Sequence, residues 1–317
     1  VAERAPSLRD LSSHFAFGQN WASYADLIDD ERLAEAERGL VRLLGPDGLR
    51  GRSFLDIGCG SGLHAVAAAR LGAARILAVD IDPRSVDTAR AVLRRHAPQA
   101  AAQIRELSVF DLDPIATERF EVVYSWGVLH HTGAMREAMR IAAQVVAPGG
   151  LFAFALYRKA RMCGFWAREK RWYAAASPGA QAAARTAYVT LLRAGLTVKG
   201  RNFKRYVADY KSGRGMDFQH DVHDWMGGYP YESIAAGDVD QLMRGLRFEH
   251  VRSFTRPLSL GFFGSGCDEF VYRGPAGTCS DRVLIAGALF NQVGLVIRAS
   301  ESRCPSRATL RSNAPRG

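Results

Sequence analysis

With 317 residues, 48% of them hydrophobic and 23% charged, the chain has the composition of a folded globular protein, not of a disordered, collagenous or disulfide-rich one. Five scattered cysteines (Cys59, Cys163, Cys267, Cys279, Cys304) form no CxxC pair, which argues against a disulfide framework or zinc knuckle and for a reducing, cytoplasmic setting. The net charge of +10 lies in one stretch: residues 156–214 hold fourteen Lys or Arg against Glu169 and Asp209.

The first ten residues, Val1 to Asp10, carry charges where a leader needs an apolar run. Short apolar runs then alternate with helical periods: Ser53–Ile57, a helix from Leu63, Arg75–Val79, a helix from Arg84, and Ile104–Val109. The alternation continues through Phe120–Ser125, a helix over 134–146, and Leu151–Leu156. Strand–helix alternation with nearly all-apolar strands predicts an α/β fold, a doubly wound, Rossmann-like and mostly parallel sheet. Residues 162–213 read as Ala- and Arg-rich helices inserted as a cap before the last strands, predicted at 247–254 and 269–273. The apolar stretch Val283–Ile297 contains Asn291 and Gln292, so no membrane span is expected there, and 299–317 read as a disordered tail. The predicted organisation is an N-terminal helical lid (1–50), an α/β core (51–157 with 246–275), a helical cap and acceptor-binding insertion (158–245) and a C-terminal extension (276–317).

The run Leu55-Asp56-Ile57-Gly58-Cys59-Gly60-Ser61-Gly62 puts an acid at the end of the first strand and three glycines in the turn that follows, where open α/β sheets bind ligands. Its G-x-G-x-G spacing is neither the dinucleotide fingerprint nor a Walker loop, which disfavours hydride transfer and NTP hydrolysis. Asp80 ends the second strand eighteen residues after Gly62, where a carboxylate can accept from ribose hydroxyls. Phe110 and Asp111 close the predicted third strand, offering a wall and an acceptor for a purine, and Ser125-Trp126 close the fourth.

Over residues 53–157 these features resemble the class I S-adenosylmethionine-dependent methyltransferases. The resemblance implies that Asp56 and the Gly58–Gly62 backbone, Cys59 and Gly60 included, hold the methionine part of S-adenosyl-L-methionine. It further implies that Asp80 and Ile81 hold ribose and adenine, that Phe110 and Asp111 hold the adenine, and that Tyr124 to His131 line the methyl-transfer channel, with S-adenosyl-L-homocysteine as product. Phe17-Gly18-Gln19-Asn20-Trp21, the 224–232 run and Gly266 to Tyr272 resemble bacterial methyltransferases of the ubiquinone-biosynthesis-like kind, from which only the enzyme class is carried over.

Methyl transfer to oxygen or carbon needs a base near the methyl. His130 and His131, after the fourth strand, are the candidates, with His130 preferred, and the Glu232 carboxylate is the third catalytic candidate. His220, Asp224, Trp225, Tyr229, Tyr231 and Glu232, turned by Gly227, Gly228 and Pro230, read as a loop gripping a ring, and Trp21, also expected to bind substrate, reads with Asn20 as a lid over the cofactor. His220 and His223 lack a third ligand at a recognised spacing, so no metal is expected. The reading is methyl transfer to a small, ring-bearing metabolite of specialised or envelope biosynthesis, by a protein whose aromatic cap suits a homodimer. An RNA methyltransferase using the basic segment, with tRNA or rRNA as partner, and a non-catalytic binding protein are the alternatives.

Overall fold

The structure is a computed structural model that describes residues 17–112, 118–210, 218–256 and 260–277. The first sixteen residues of the expected lid, the apolar stretch at 283–297 and the expected tail lie outside the described residues.

Two helices, α1 (Phe17–Ala25) and α2 (Asp30–Leu44), precede the sheet. The alternating part follows as β1 (Ser53–Ile57), α3 (Leu63–Arg70), β2 (Arg75–Asp80), α4 (Pro83–His96), β3 (Ala102–Glu106), β4 (Phe120–Trp126), α5 (Met135–Gln144) and β5 (Val146–Tyr157). The cap comprises α6 (Cys163–Ala175), α7 (Pro178–Val198), α8 (Phe203–Ala208) and α9 (Phe218–Gly227), and α10 (Ala236–Gly245) leads to β6 (Glu249–Phe254) and β7 (Cys267–Arg273). Helix starts follow their chemistry: Asp29, Asp82 and Ser177 each accept from a backbone N–H of the first turn of α2, α4 and α7, and Pro83 and Pro178 occupy first-turn positions that need no donor.

The seven strands run β3-β2-β1-β4-β5-β7-β6, with neighbours among the first five parallel and β7 antiparallel to both β5 and β6. The order reverses between β1 and β4, which opens a crevice at their carboxyl ends. The side-chain period of two splits the core. Leu55, Ile57, Leu77, Val79 and Val123 pack with Met135, Met139, Val239 and Met243, on the side of α5 and α10. Phe54, Ile76, Ala78, Val122 and Tyr124 pack on the other side with Leu40, Ala65 and Ala89 of α2, α3 and α4. Tyr173, Leu192, Leu196, Phe218, Val222 and Met226 give the cap its own apolar cluster.

Two local expectations are corrected. The third strand ends at Glu106, because the Ser108 side chain accepts from Phe110 N at 3.3 Å and starts a 3-10 turn, Val109–Asp111, so Phe110 and Asp111 lie in that turn and do not end the strand. Asp224 to Gly227 are the last turn of α9, closed by Gly228 N donating to Asp224 O at 2.9 Å, and the irregular segment starts only at Gly228.

Candidate active site

The turn after β1 is built by backbone geometry. Gly58, Gly60 and Gly62 all have positive φ, at 75°, 53° and 78°, and Gly58 N and Cys59 N both donate to Val79 O, tying the turn to β2. A Cβ at Gly58 would collide with Val128, and one at Gly60 would stand 3.1 Å from the Trp21 indole, so the indole rests on bare backbone. Gly62 plays a different part: it starts α3, and a Cβ there would meet Ala89 of α4 at 2.9 Å.

Asp80, at the end of β2, accepts from Gly60 N and from Asp82 N, each at 2.9 Å. Burial lifts its carboxyl to about 6 against the pull of those bonds. Asp56 lies deeper: burial, with the Asp80 charge adding to it, lifts its carboxyl to about 8, and its Oδ2 has no partner. Burial also raises the Cys59 thiol and lowers the His64 imidazole to about 4.

A cleft of about 1320 Å³ runs from this turn to the cap. Gly58, Cys59, Gly60, Asp80, Ile81, Phe110, Trp126 and Trp21 are in its wall, as are His130, His131, Asp224 and Trp225. Asp56, Gly62, Asp111, Ser125, His220, Tyr229, Tyr231 and Glu232 are not. Ser125 is buried and donates to Ile57 O at 3.1 Å, bracing β4 on β1, while Asp111 is exposed. His220 is paired with the Ser23 hydroxyl at 2.9 Å, linking α9 to α1. The Tyr231 hydroxyl lies 3.3 Å from both Cys163 Sγ and Ser265 Oγ. Glu232 Oε2 accepts from Met135 N at 2.8 Å, so this carboxylate caps α5 instead of facing the cleft. Of the residues expected to grip the ring, Asp224 and Trp225 are in the cleft wall, whereas His220, Tyr229, Tyr231 and Glu232 lie outside it.

The two histidines are held in different ways. The His130 ring is fully buried, 3.8 Å from the Tyr157 ring, and its Nδ1 accepts from Tyr157 N at 3.2 Å, which leaves the proton on Nε2. Burial holds His130 well below the usual imidazole range, with His131 and Lys170 adding to the effect. His131 Nδ1 donates to Pro230 O at 2.7 Å, so the ring lone pair is on Nε2. Its Cε1 lies 2.5 Å from where a Cβ on Gly228 would be, a close approach that requires glycine there.

Several wall residues were not singled out from the sequence. Tyr157 ends β5 against His130 and Trp225. Glu269, in β7, accepts from Trp126 Nε1 at 3.0 Å and pairs with Arg42 at 2.5 Å, joining β4, β7 and α2 at the mouth. Lys170, fully buried behind Trp225, could have been found from its spacing: it lies four residues after Trp166 and three before Tyr173, on the inner aromatic face of α6.

Residues 55–154 match the methyltransferase domain family. This segment is a methyltransferase domain. Curated proteins similar to the chain include the ubiquinone biosynthesis O-methyltransferase of Methylobacterium sp. (strain 4-46), 36% identical over 110 residues, covering 34% of the chain and 42% of the relative. They also include the ribosomal protein L11 methyltransferase of Tolumonas auensis, 33% identical over 105 residues, covering 33% and 34%. The chain thus spans less than half the length of either relative. A solved structure of Burkholderia thailandensis 1,6-didemethyltoxoflavin-N1-methyltransferase is similar at a TM-score of 0.47 and 15% identity, over 87% of this chain and 93% of that one. Among the described residues no helix is long and apolar enough to cross a membrane, and no cluster of side chains suits a metal ion.

Proposed function

We propose that this chain transfers the methyl group of S-adenosyl-L-methionine to a small, ring-bearing acceptor of specialised or envelope biosynthesis. One observation carries the reading: a turn of positive-φ glycines at the β1/β4 switch point opens, with Asp80 and Phe110, into a cleft whose far end is lined by Tyr157, Trp225 and the two histidines.

The residues present fit the cofactor. The glycine turn puts backbone without side chains in the cleft wall, Asp80 keeps lone pairs for ribose hydroxyls beyond the two amides it accepts from, and Phe110 supplies an apolar wall for a purine. Bound there, the cofactor supplies a methyl group activated on a sulfonium. The chain's own work is alignment: the cleft holds the acceptor in line, and the Trp21 indole on Gly60 keeps water from the turn. His131, in the cleft wall with its Nδ1 donating to Pro230 O, carries its lone pair on Nε2 and is suited to take a proton from the acceptor.

Calorimetric titration with S-adenosyl-L-methionine and S-adenosyl-L-homocysteine tests the reading. Both should bind, and Asp80→Ala should weaken both by about tenfold, the equivalent of one charge-assisted hydrogen bond. Folded protein that binds neither would overturn it.

A further inference from the structure

We infer that the acceptor end of the cleft is built for an aromatic ring carrying an anionic oxygen, with His130 and Trp225 as its donors and Lys170 as the positioning residue behind them. The inference rests on the methyl-transfer reading and adds the charge of the acceptor to it.

A ligand is selected by what the wall leaves unpaired, because a buried donor without an acceptor costs more than the bond it forgoes. His130 Nε2 and Trp225 Nε1 are both buried without a partner, and both residues line the cleft. Each is a donor: Tyr157 N fixes the proton on His130 Nε2, and an indole nitrogen can only donate. The Tyr157 ring stands between them, 3.8 Å from the His130 ring and 5.2 Å from the Trp225 ring. In the same wall the Asp221 carboxylate accepts from the Tyr210 hydroxyl. A pair of unpartnered donors beside an aromatic face describes the place of an oxygen on a ring.

Lys170 decides the charge of that oxygen. Its Nζ lies 3.6 Å over the Trp225 ring, 5.5 Å from Tyr231 and 5.9 Å from Trp166, fully buried and with no hydrogen-bond acceptor. A cation on the far face of the indole draws ring electron density toward itself and makes the N–H a stronger donor on the cleft side. The groups facing it are Glu169 on its own helix, Asp224 on α9 and His130 after β4. Burial pushes the Glu169 carboxyl upward, toward its neutral form, and holds His130 neutral, which leaves Asp224 as the other carboxylate near the ammonium. Burial pulls Lys170 downward, and an anion entering the cleft reverses that pull by supplying the missing negative charge.

The test uses the full chain loaded with S-adenosyl-L-homocysteine and three probes: 4-nitrophenol, whose ionised form is coloured, 4-nitrobenzoate, and the neutral ether 4-nitroanisole. The two anions should bind about tenfold tighter than the ether, and the ionisation midpoint of bound 4-nitrophenol should fall by about one pH unit. K170M, which removes the charge, and W225F, which removes the N–H and keeps the ring, should each lose most of that preference while their affinity for S-adenosyl-L-homocysteine is unchanged. Equal binding of ether and anions, an unmoved midpoint, failure of all three probes to bind, or variants that retain the preference would overturn the inference. Absence of S-adenosyl-L-homocysteine binding would instead sink the methyl-transfer reading, and the nitrophenol midpoint, measurable without cofactor, keeps the two failures apart.

Discussion

The backbone N–H of Gly18 donates to the Asp82 carboxylate at 3.0 Å, and the other oxygen of that carboxylate accepts from Arg84 N at 2.8 Å. One side chain thus caps α4 and anchors the first turn of α1, two residues beyond Asp80 in the cofactor region. Asp82→Ala should cost about 1 kcal/mol for the lost cap and release α1. Thermal unfolding should show the first effect, and a several-fold weaker affinity for S-adenosyl-L-homocysteine the second. Full affinity in this variant would mean that α1 needs no anchor there.

Gly60 combines a φ of 53° with an indole 3.1 Å from its missing Cβ. Gly60→Ala should lose about 1–2 kcal/mol through the backbone alone and weaken cofactor binding about tenfold or more. Adding Trp21→Ala relieves the contact but not the dihedral, so the double variant should recover only part of the affinity. Complete recovery would assign the whole effect to the indole.

The buried carboxyls make stability depend on pH in a set direction. Asp56 is lifted from its ordinary 3.8 to about 8, so its contribution to stability is fully present below 3.8 and is lost as pH rises through about 8. Asp80, lifted to about 6, adds a loss of the same sign at lower pH. The buried His64 and His130 act with the opposite sign below 6.5, so the effect is read as a difference: the melting temperature of the cofactor-free wild type should fall relative to that of Asp56→Asn as pH rises from 4 to 8. A difference between the two that does not change over this range would contradict the buried, unpaired placement of Asp56.

Glu232 caps α5 through Met135 N. Glu232→Ala should cost about 1 kcal/mol of stability, as cap removals do, while Glu232→Gln, which keeps a carbonyl acceptor, should lose less. Neither change should alter S-adenosyl-L-homocysteine affinity. Turnover lost in the Gln variant with stability preserved would restore Glu232 to the reacting centre.

The parallel sheet was legible because its signal is local: apolar runs at regular spacing, punctuated by glycines at β1 and an acid at β2. The cofactor side of the cleft was legible for the same reason, since Gly58, Gly60 and Asp80 act near their own strand ends. The acceptor side was less so. Asp224 and Trp225 lie in the wall, while Tyr229 and Tyr231 fall outside it, in the irregular segment whose start is shifted because α9 runs on through Gly227. Glu232 looked catalytic in a run of aromatics, and only its distance to Met135, ninety-seven residues away in the chain, reveals a cap. The His130 and His131 tautomers are likewise set by Tyr157 and Pro230, partners that no spacing in the sequence announces.

The reversed direction of β7 has a consequence for assembly. The five parallel strands contribute to the mouth from the ends where the chain leaves them, but β7 contributes from the end where the chain enters, which is how Glu269 reaches Trp126 across 143 residues. The rim therefore cannot close until nearly all of the described chain is available, and its formation requires closing a long loop. The glycine turn and β2 can meet early, through neighbours some twenty residues apart, so the half of the cleft that receives the cofactor is able to form well before the half that receives the acceptor.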